Sequence, residues 1–379
     1  MHFEPYPFEK LNELLENIIP NKNYEPSVLT IGEPQFETPE FIQKALQAAS
    51  SLLKKYPKTT GETELREAMR TFVKRRFNVT LSDAEIIPTF GTREVLFNFP
   101  QFLLFDKEKS VMAYTNPFYQ IYEGAAIATH SEVIHLNLTQ ENNFKPQINK
   151  TDLTRCDLVI LNFPNNPTAA TLSLEELGAW VKLALKYDFV LLNDECYSEI
   201  YRQNPVPSLL EAAKTVGNES LKNILVINSI SKRSSAPGLR SGFIAGDQEI
   251  LKEYMKYRTY IGCASPLPLQ YAASLAWSEE SHVERSREIY RQNFAIAKKI
   301  LKTEIPEATF YLWIDVGDAL AFTKKLYEKY NVKVLPGEFL ARKDANGQNS
   351  GVGYIRIALV ESPEKTKEAL MRIKECLGE

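Results

Sequence analysis

Within ILVINSISKRSSAPGLRSGFIAG, residues 224–246, an amine, hydroxyls and a guanidinium fall close together in the chain. Ser229, Ser231 and Lys232 follow an apolar run with the β-branched content of a buried strand, and Arg240 comes eight residues after Lys232. A lysine amine condenses with an aldehyde to an imine, while hydroxyls and a guanidinium fork suit phosphate oxygens. The loop is therefore a cradle for a phosphorylated aldehyde. Taken alone, Lys232, Arg233 and Arg240 also read as solvated loop charges, the commoner fate of a basic loop. The rest of the chain has to decide.

Other residues carry chemistry of the same kind. In NFPNNPT, residues 162–168, the Asn166 amide can donate to an oxygen anion. Asp194 and Tyr197 follow an apolar run, where a carboxylate can also be a mere cap. Gly91, Thr92 and Arg93 open a helix whose first N–H groups suit phosphate. Tyr119 ends another apolar run, and Gly32 either brings bare backbone to a ligand or simply makes a turn. Tyr56, before a helix, reads on position as packing. Arg356 interrupts the apolar alternation of GYIRIA; once buried it needs a partner, either a small carboxylate ligand or an intraprotein ion pair.

These residues are punctuation in a regular pattern. The sequence predicts short strands at 86–89, 111–114, 158–161, 189–192, 224–227 and 243–245, alternating with amphipathic helical segments from about residue 45 to 270. Such alternation predicts an α/β fold, a three-layer α/β/α large domain over 45–270 with a mostly parallel sheet. A smaller α+β domain would combine 1–44 with 271–379. Ligands of such sheets bind outside the carboxyl ends of the strands, where Gly91, Tyr119, Asn166, Asp194, Tyr197, Ser229 and Lys232 all fall. A proline at the first position opens a helix at Thr38-Pro39-Glu40. Residues 269–301 read as one long connecting helix, and 308–315, 332–335 and 353–358 as strands of the second domain.

Composition narrows the class. With 379 residues and 44% hydrophobic content the chain can bury a sizeable core. The 45 lysines and arginines nearly balance 48 acidic residues, so neither nucleic acid nor membrane finds electrostatic support. The four cysteines and four histidines show no metal spacing, and no leader-like or membrane-length apolar segment is present, so a cytoplasmic protein without a metal is expected.

In order and spacing, N-x-P-x-N-P-T, D-E-x-Y and S-x-S-K with arginine eight residues on resemble the fold-type I aminotransferases of class I and II, across nearly the whole chain. The resemblance implies pyridoxal 5'-phosphate as cofactor and amino acids and 2-oxo acids as substrates. It implies that Lys232 forms the internal aldimine and shuttles the proton, and that Asp194 pairs with the pyridine nitrogen. Asn166 and Tyr197 would hydrogen-bond the ring oxygen, and Tyr119 would stack on the ring. Gly91, Ser229, Ser231, Arg240 and the backbone of Thr92 and Arg93 would hold the phosphate, joined by Tyr56 from the neighbouring subunit of a homodimer. Arg356 and the Gly32 backbone would take the α-carboxylate. Ala169, Ala308 and Ser234 depart from the family pattern, Ser234 at a position where many members have an aromatic.

Within the family, GTRE (91–94), NPFYQIYEGAA (116–126), DECYSEIY (194–201) and SKRSSAPGLRSGFIAGD (231–247) are most similar to N-succinyl-LL-diaminopimelate aminotransferases of lysine biosynthesis. That likeness implies glutamate as amino donor and a distal acidic group, for which Arg93 and Arg233 are the candidate readers. An aspartate or aromatic aminotransferase and a C–S lyase are the alternatives. A ligand-sensing domain of a transcription regulator is a third kind of reading; it needs a DNA-binding domain, for which a pattern beginning by about residue 30 leaves no room.

Overall fold

Six apolar runs become interior strands because every one of their residues is buried, and the computed structural model, which describes residues 3–378, joins them to a half-exposed seventh in one sheet. These strands are β1 (Ile86–Thr89), β2 (Val111–Asn116), β3 (Glu132–Asn137), β4 (Leu158–Leu161), β5 (Val190–Asp194), β6 (Ile224–Ser229) and β7 (Gly242–Gly246), in the spatial order β1-β7-β6-β5-β4-β2-β3. Pairing is parallel throughout except where β7 lies antiparallel between β1 and β6.

The period-2 alternation of a strand divides its side chains between two cores. In β4, Val159 and Leu161 face one cluster with Phe72, Trp180 and Trp277, while Leu158 and Ile160 face another with Phe99, Tyr122 and Tyr254. The first core is closed by helices Glu40–Ala48, Thr63–Phe77, Leu174–Tyr187, Leu209–Thr215 and Leu267–Ser278; the second by Thr92–Leu103, Ile121–Ala128 and Gln248–Arg258. Two of these, Glu40–Ala48 and Leu267–Ser278, straddle the boundaries drawn in the sequence near residues 45 and 270.

A second sheet holds β8 (Tyr311–Asp315), β9 (Leu335–Pro336) and β10 (Tyr354–Ala358), antiparallel in the order β9-β10-β8. It packs with helices Ser281–Leu301, Ala319–Tyr330 and Pro363–Gly378 around Phe294, Leu326, Ile357 and Leu370. Residues 1–2 and 379, at the ends of the segments assigned to the smaller domain, lie outside the described residues.

Four local expectations are corrected. The helical region 269–301 is two helices, because the extended backbone at Glu279 ends the first and its carboxylate accepts the N–H groups of Ser281 and His282, at 2.8 and 3.0 Å, to start the second. Pro39 sits at the N-cap, and Glu40 is the first helical residue. The strand expected from 308 begins at Tyr311, since Thr309 has a positive φ of 67° and Ala308 makes only an isolated bridge to Tyr201. The 332–335 segment divides, Val332–Lys333 pairing in parallel with Ser27–Val28 and Leu335 joining β10.

Candidate active site

The carboxyl ends of β2, β4, β5 and β6 open into a cavity of about 900 Å³ closed on its far side by the second sheet. Strand β5 delivers Asp194 to the floor. Its Oδ2 accepts the Tyr122 hydroxyl at 3.1 Å and its Oδ1 the Cys196 N–H at 3.2 Å. Burial raises the Asp194 carboxyl above its ordinary pKa, against the hydrogen bonds and the nearby Lys232 charge that lower it.

Strand β6 ends at Ser229, whose Oγ accepts the Ser231 N–H at 3.1 Å and starts the single turn Ile230–Arg233. That turn projects Lys232 into the cavity, where its amine donates to the Gly32 carbonyl. No carboxylate among the described residues forms an ion pair with Lys232. Burial lowers its pKa to about 8, so about a tenth of the amine is neutral at pH 7, far more than for a free lysine.

At one end of the cavity Gly91, with φ +74°, turns the chain into helix Thr92–Leu103, whose first N–H groups receive no side-chain cap. A Cβ at residue 91 would lie 2.1 Å from Nη2 of Arg240, so the glycine makes room for the guanidinium. Arg240 spends donors on two carbonyls, Pro237 at 2.8 Å and Phe90 at 3.2 Å, and on no carboxylate among the described residues. Ser229 Oγ and Ser231 Oγ lie 2.9 Å apart nearby, and Arg93 Nε donates to the Tyr119 hydroxyl at 2.7 Å. Arg240 and a bare helix start make this an anion site.

At the other end, β10 carries Arg356, buried at 4% exposure. Its Nη1 donates to Asn166 Oδ1 at 2.7 Å and its Nη2 to the Thr30 carbonyl at 2.6 Å, while Nε has no hydrogen-bond partner. Both acceptors are neutral, and no carboxylate among the described residues pairs with it. The intraprotein ion pair left open by the sequence is absent among the described residues, and a buried guanidinium facing only neutral acceptors is suited to a carboxylate.

Thus the cavity brings together Gly32, Thr92, Arg93, Tyr119, Asn166 and Asp194 with Tyr197, Ser229, Ser231, Lys232, Arg240 and Arg356, and Gly91 stands directly behind Arg240. Tyr56 is fully exposed and outside it. Arg233 is also outside, and its expected role is corrected. Its side chain is fully buried, with Nη1 on the Ala276 carbonyl at 2.6 Å and Nη2 on Glu280 and on the Glu279 carbonyl at 3.1 Å. It fastens the lysine-bearing turn to the corner between two helices and cannot reach a ligand. Ser234 beside it bonds His282 Nε2 at 2.8 Å.

Sequence reasoning passed over Tyr122, Cys196 and Tyr311. Cys196 Sγ lies 3.3 Å from Thr92 Oγ1 at the cavity wall, and Tyr311 lines the cavity beside Arg356. Their signal was position, inside the strings 116–126 and 194–201 for Tyr122 and Cys196 and at the start of an apolar strand for Tyr311, with no unusual residue type.

Comparison with known proteins decides the family. Residues 26–373 match the description Aminotransferase class I and II. The chain belongs to the class I and II aminotransferases. A curated relative, the LL-diaminopimelate aminotransferase of Aquifex aeolicus, is 31% identical over 98% of this chain and 96% of its own length. Among solved structures, aminotransferase AspB of Helicobacter pylori is 50% identical with a TM-score of 0.96, covering 99% of both chains. An aminotransferase of Neisseria meningitidis is 40% identical with a TM-score of 0.93, covering 98% of this chain and 97% of that one.

Class I and II aminotransferases use pyridoxal phosphate, and the residues present fit it. A buried amine, a buried carboxylate and an anion site with uncapped helix amides match its aldehyde, ring nitrogen and phosphate in kind. Bound there, the cofactor supplies the electron sink that makes an amino acid's Cα–H acidic. The enzyme is an aminotransferase.

Proposed function

We propose that this aminotransferase moves an amino group from N-succinyl-LL-diaminopimelate to 2-oxoglutarate, giving glutamate and the oxo acid derived from the succinylated compound, and runs the same exchange in reverse with glutamate as donor. In this reading Arg356 and the Gly32 backbone hold the α-carboxylate, and the observation that carries the assignment is that buried guanidinium facing only neutral acceptors. Lys232 would hold the cofactor and, as a free amine, would take the proton from the substrate's Cα. Asp194 would pair with the ring nitrogen and favour its protonated form. Tyr197 and the Asn166 amide N–H₂ donate to the ring oxygen; Asn166 Oδ1 is already committed to Arg356. Tyr119 would stack on the ring, while Ser229, Ser231, Arg240, Gly91 and the amides of Thr92 and Arg93 would hold the phosphate. Tyr56, exposed here, serves the partner's site in a homodimer.

Three features support a long substrate. The cavity, at about 900 Å³, lies near the upper end of the range of roughly 300–1,000 Å³ for pockets that take drug-sized ligands. Arg93 faces the cavity without an ion-pair partner among the described residues, available to a distal carboxylate. The sequence strings around Lys232 point to the succinylated compound. A second reading, unmodified LL-diaminopimelate, draws on the names of the curated relatives and on Glu33, a carboxylate on the cavity wall suited to a distal ammonium.

Turnover with 2-oxoglutarate should be compared for both compounds, aspartate and aromatic amino acids, in wild type, Arg93→Ala and Glu33→Gln. The proposal expects the succinylated substrate to be preferred. Arg93→Ala should weaken it by roughly tenfold or more while sparing glutamate. A preference for unmodified diaminopimelate that Glu33→Gln abolishes would establish the second reading instead.

A further inference from the structure

Tyr311, the first residue of β8, makes three contacts that meet at the centre of the site. Its hydroxyl stands 3.0 Å from the Tyr197 hydroxyl. Its ring lies under the Arg356 guanidinium, 4.5 Å from the ring centroid. Its hydroxyl also fills the space beside Gly32, where a Cβ would come within 1.7 Å of the oxygen. Gly32 has no positive φ, so glycine is needed there for space and not for backbone conformation.

We propose that Tyr311 is a positioning residue that links the two halves of the site, its hydroxyl donating to Tyr197 while its ring supports Arg356. The inference rests on the roles given to Tyr197 and Arg356 above. Both phenols are buried, Tyr311 at 2% and Tyr197 at 6% exposure, and each has one proton to give. If Tyr197 gave its proton to Tyr311, it could not donate to the ring oxygen. The Tyr311 hydroxyl has no other hydrogen-bond partner among the described residues, so its proton goes to Tyr197. Accepting that bond polarises the Tyr197 O–H and makes it the stronger donor. The ring face, in turn, supplies the negative potential that a guanidinium without a carboxylate partner lacks. One side chain from the second sheet thereby sets a donor of the ring-oxygen site and the cation of the α-carboxylate site.

The two roles separate in two variants. Tyr311→Phe keeps the ring and removes the hydroxyl; Tyr311→Leu removes both. For Tyr311→Phe the pH midpoint of the bound cofactor's visible absorbance should rise by roughly half a pH unit, because the ring oxygen loses part of its stabilisation, and kcat should fall about fivefold with KM for glutamate nearly unchanged. Tyr311→Leu should add a rise of about fivefold in KM for glutamate and 2-oxoglutarate. Placed in a Tyr197→Phe background, Tyr311→Phe should change the midpoint no further, since the bond it removes is already gone. Melting temperature and pyridoxal phosphate affinity of the Tyr311→Phe apoenzyme should stay near wild type.

A Tyr311→Phe midpoint equal to wild type, or an equal shift with and without the Tyr197 hydroxyl, overturns the inference. If Tyr197→Phe alone leaves the midpoint unmoved, or Arg356→Ala alone leaves KM unmoved, the underlying assignment fails and the inference goes with it.

Discussion

Arg356 Nη1 donates to Asn166 Oδ1 across 2.7 Å, so the candidate carboxylate site is built from β10 of one sheet and the loop after β4 of the other. The bond orients two side chains at once. It spends the Asn166 oxygen, which leaves the amide N–H₂ to donate, and it fixes a guanidinium that pairs with no acid among the described residues.

Arg356→Ala should therefore lower kcat/KM for every amino acid and oxo acid by about 1.5–3 kcal/mol, the worth of a hydrogen bond to a charged group. The bound cofactor's absorbance should persist. Arg356→Lys should recover little, because one ammonium cannot hold Asn166, Thr30 and a carboxylate in the fork geometry. Steady-state kinetics on glutamate and the succinylated substrate check this, and a loss confined to one substrate would speak against an α-carboxylate role.

Lys232→Ala should reduce transamination by several orders of magnitude, since covalent attachment and proton transfer are both lost. The protein should still bind pyridoxal phosphate, through the Arg240 site and Asp194, but with the absorbance of the free aldehyde. Normal turnover by this variant would remove Lys232 from the chemistry.

Burial lowers the Lys232 pKa to about 8 in the cofactor-free protein. Only the neutral amine attacks an aldehyde, so the rate of cofactor capture should climb about tenfold per pH unit below 8 and level off above it. A free surface lysine would keep climbing toward its ordinary value of about 10.4. Stopped-flow absorbance of apoenzyme mixed with pyridoxal phosphate reads this directly, and continued ascent through pH 9.5 would contradict the buried amine.

Arg233→Ala should unfold the protein more easily without altering substrate choice. Removing one member of a buried pair costs about 3–5 kcal/mol, and the partly exposed Glu280 places this case at the low end. Thermal melting and the ratio of kcat/KM for long and short substrates separate the two effects. A changed ratio with an unchanged melting temperature would restore Arg233 as a substrate reader.

The interior strands were legible because each is apolar on both faces, and that pattern has few other homes. Their carboxyl ends then followed, and with them the grouping of Lys232, Asp194 and Asn166 around one cavity; Arg356, on the second sheet, was marked only by breaking the apolar alternation of its strand. What could not be read depends on partners distant in sequence. Glu279 continues a helical charge pattern and ends the helix only by folding its carboxylate onto the next one's amides. Arg233 resembles a loop charge until residues 276–280 close over it. Tyr311 looks like one more aromatic of an apolar strand, and only its meeting with Tyr197, 114 residues earlier, marks it.

The most direct measurement of the central claim is the single-turnover reaction of the cofactor-loaded enzyme with each candidate amino acid, followed by the cofactor's visible absorbance. N-succinyl-LL-diaminopimelate and glutamate should both discharge the absorbance rapidly, with the apparent affinity for the former falling in Arg93→Ala and that for the latter unchanged. Rapid discharge by aspartate or an aromatic amino acid, with none by the succinylated compound, would contradict the proposed substrate while leaving the aminotransferase itself intact.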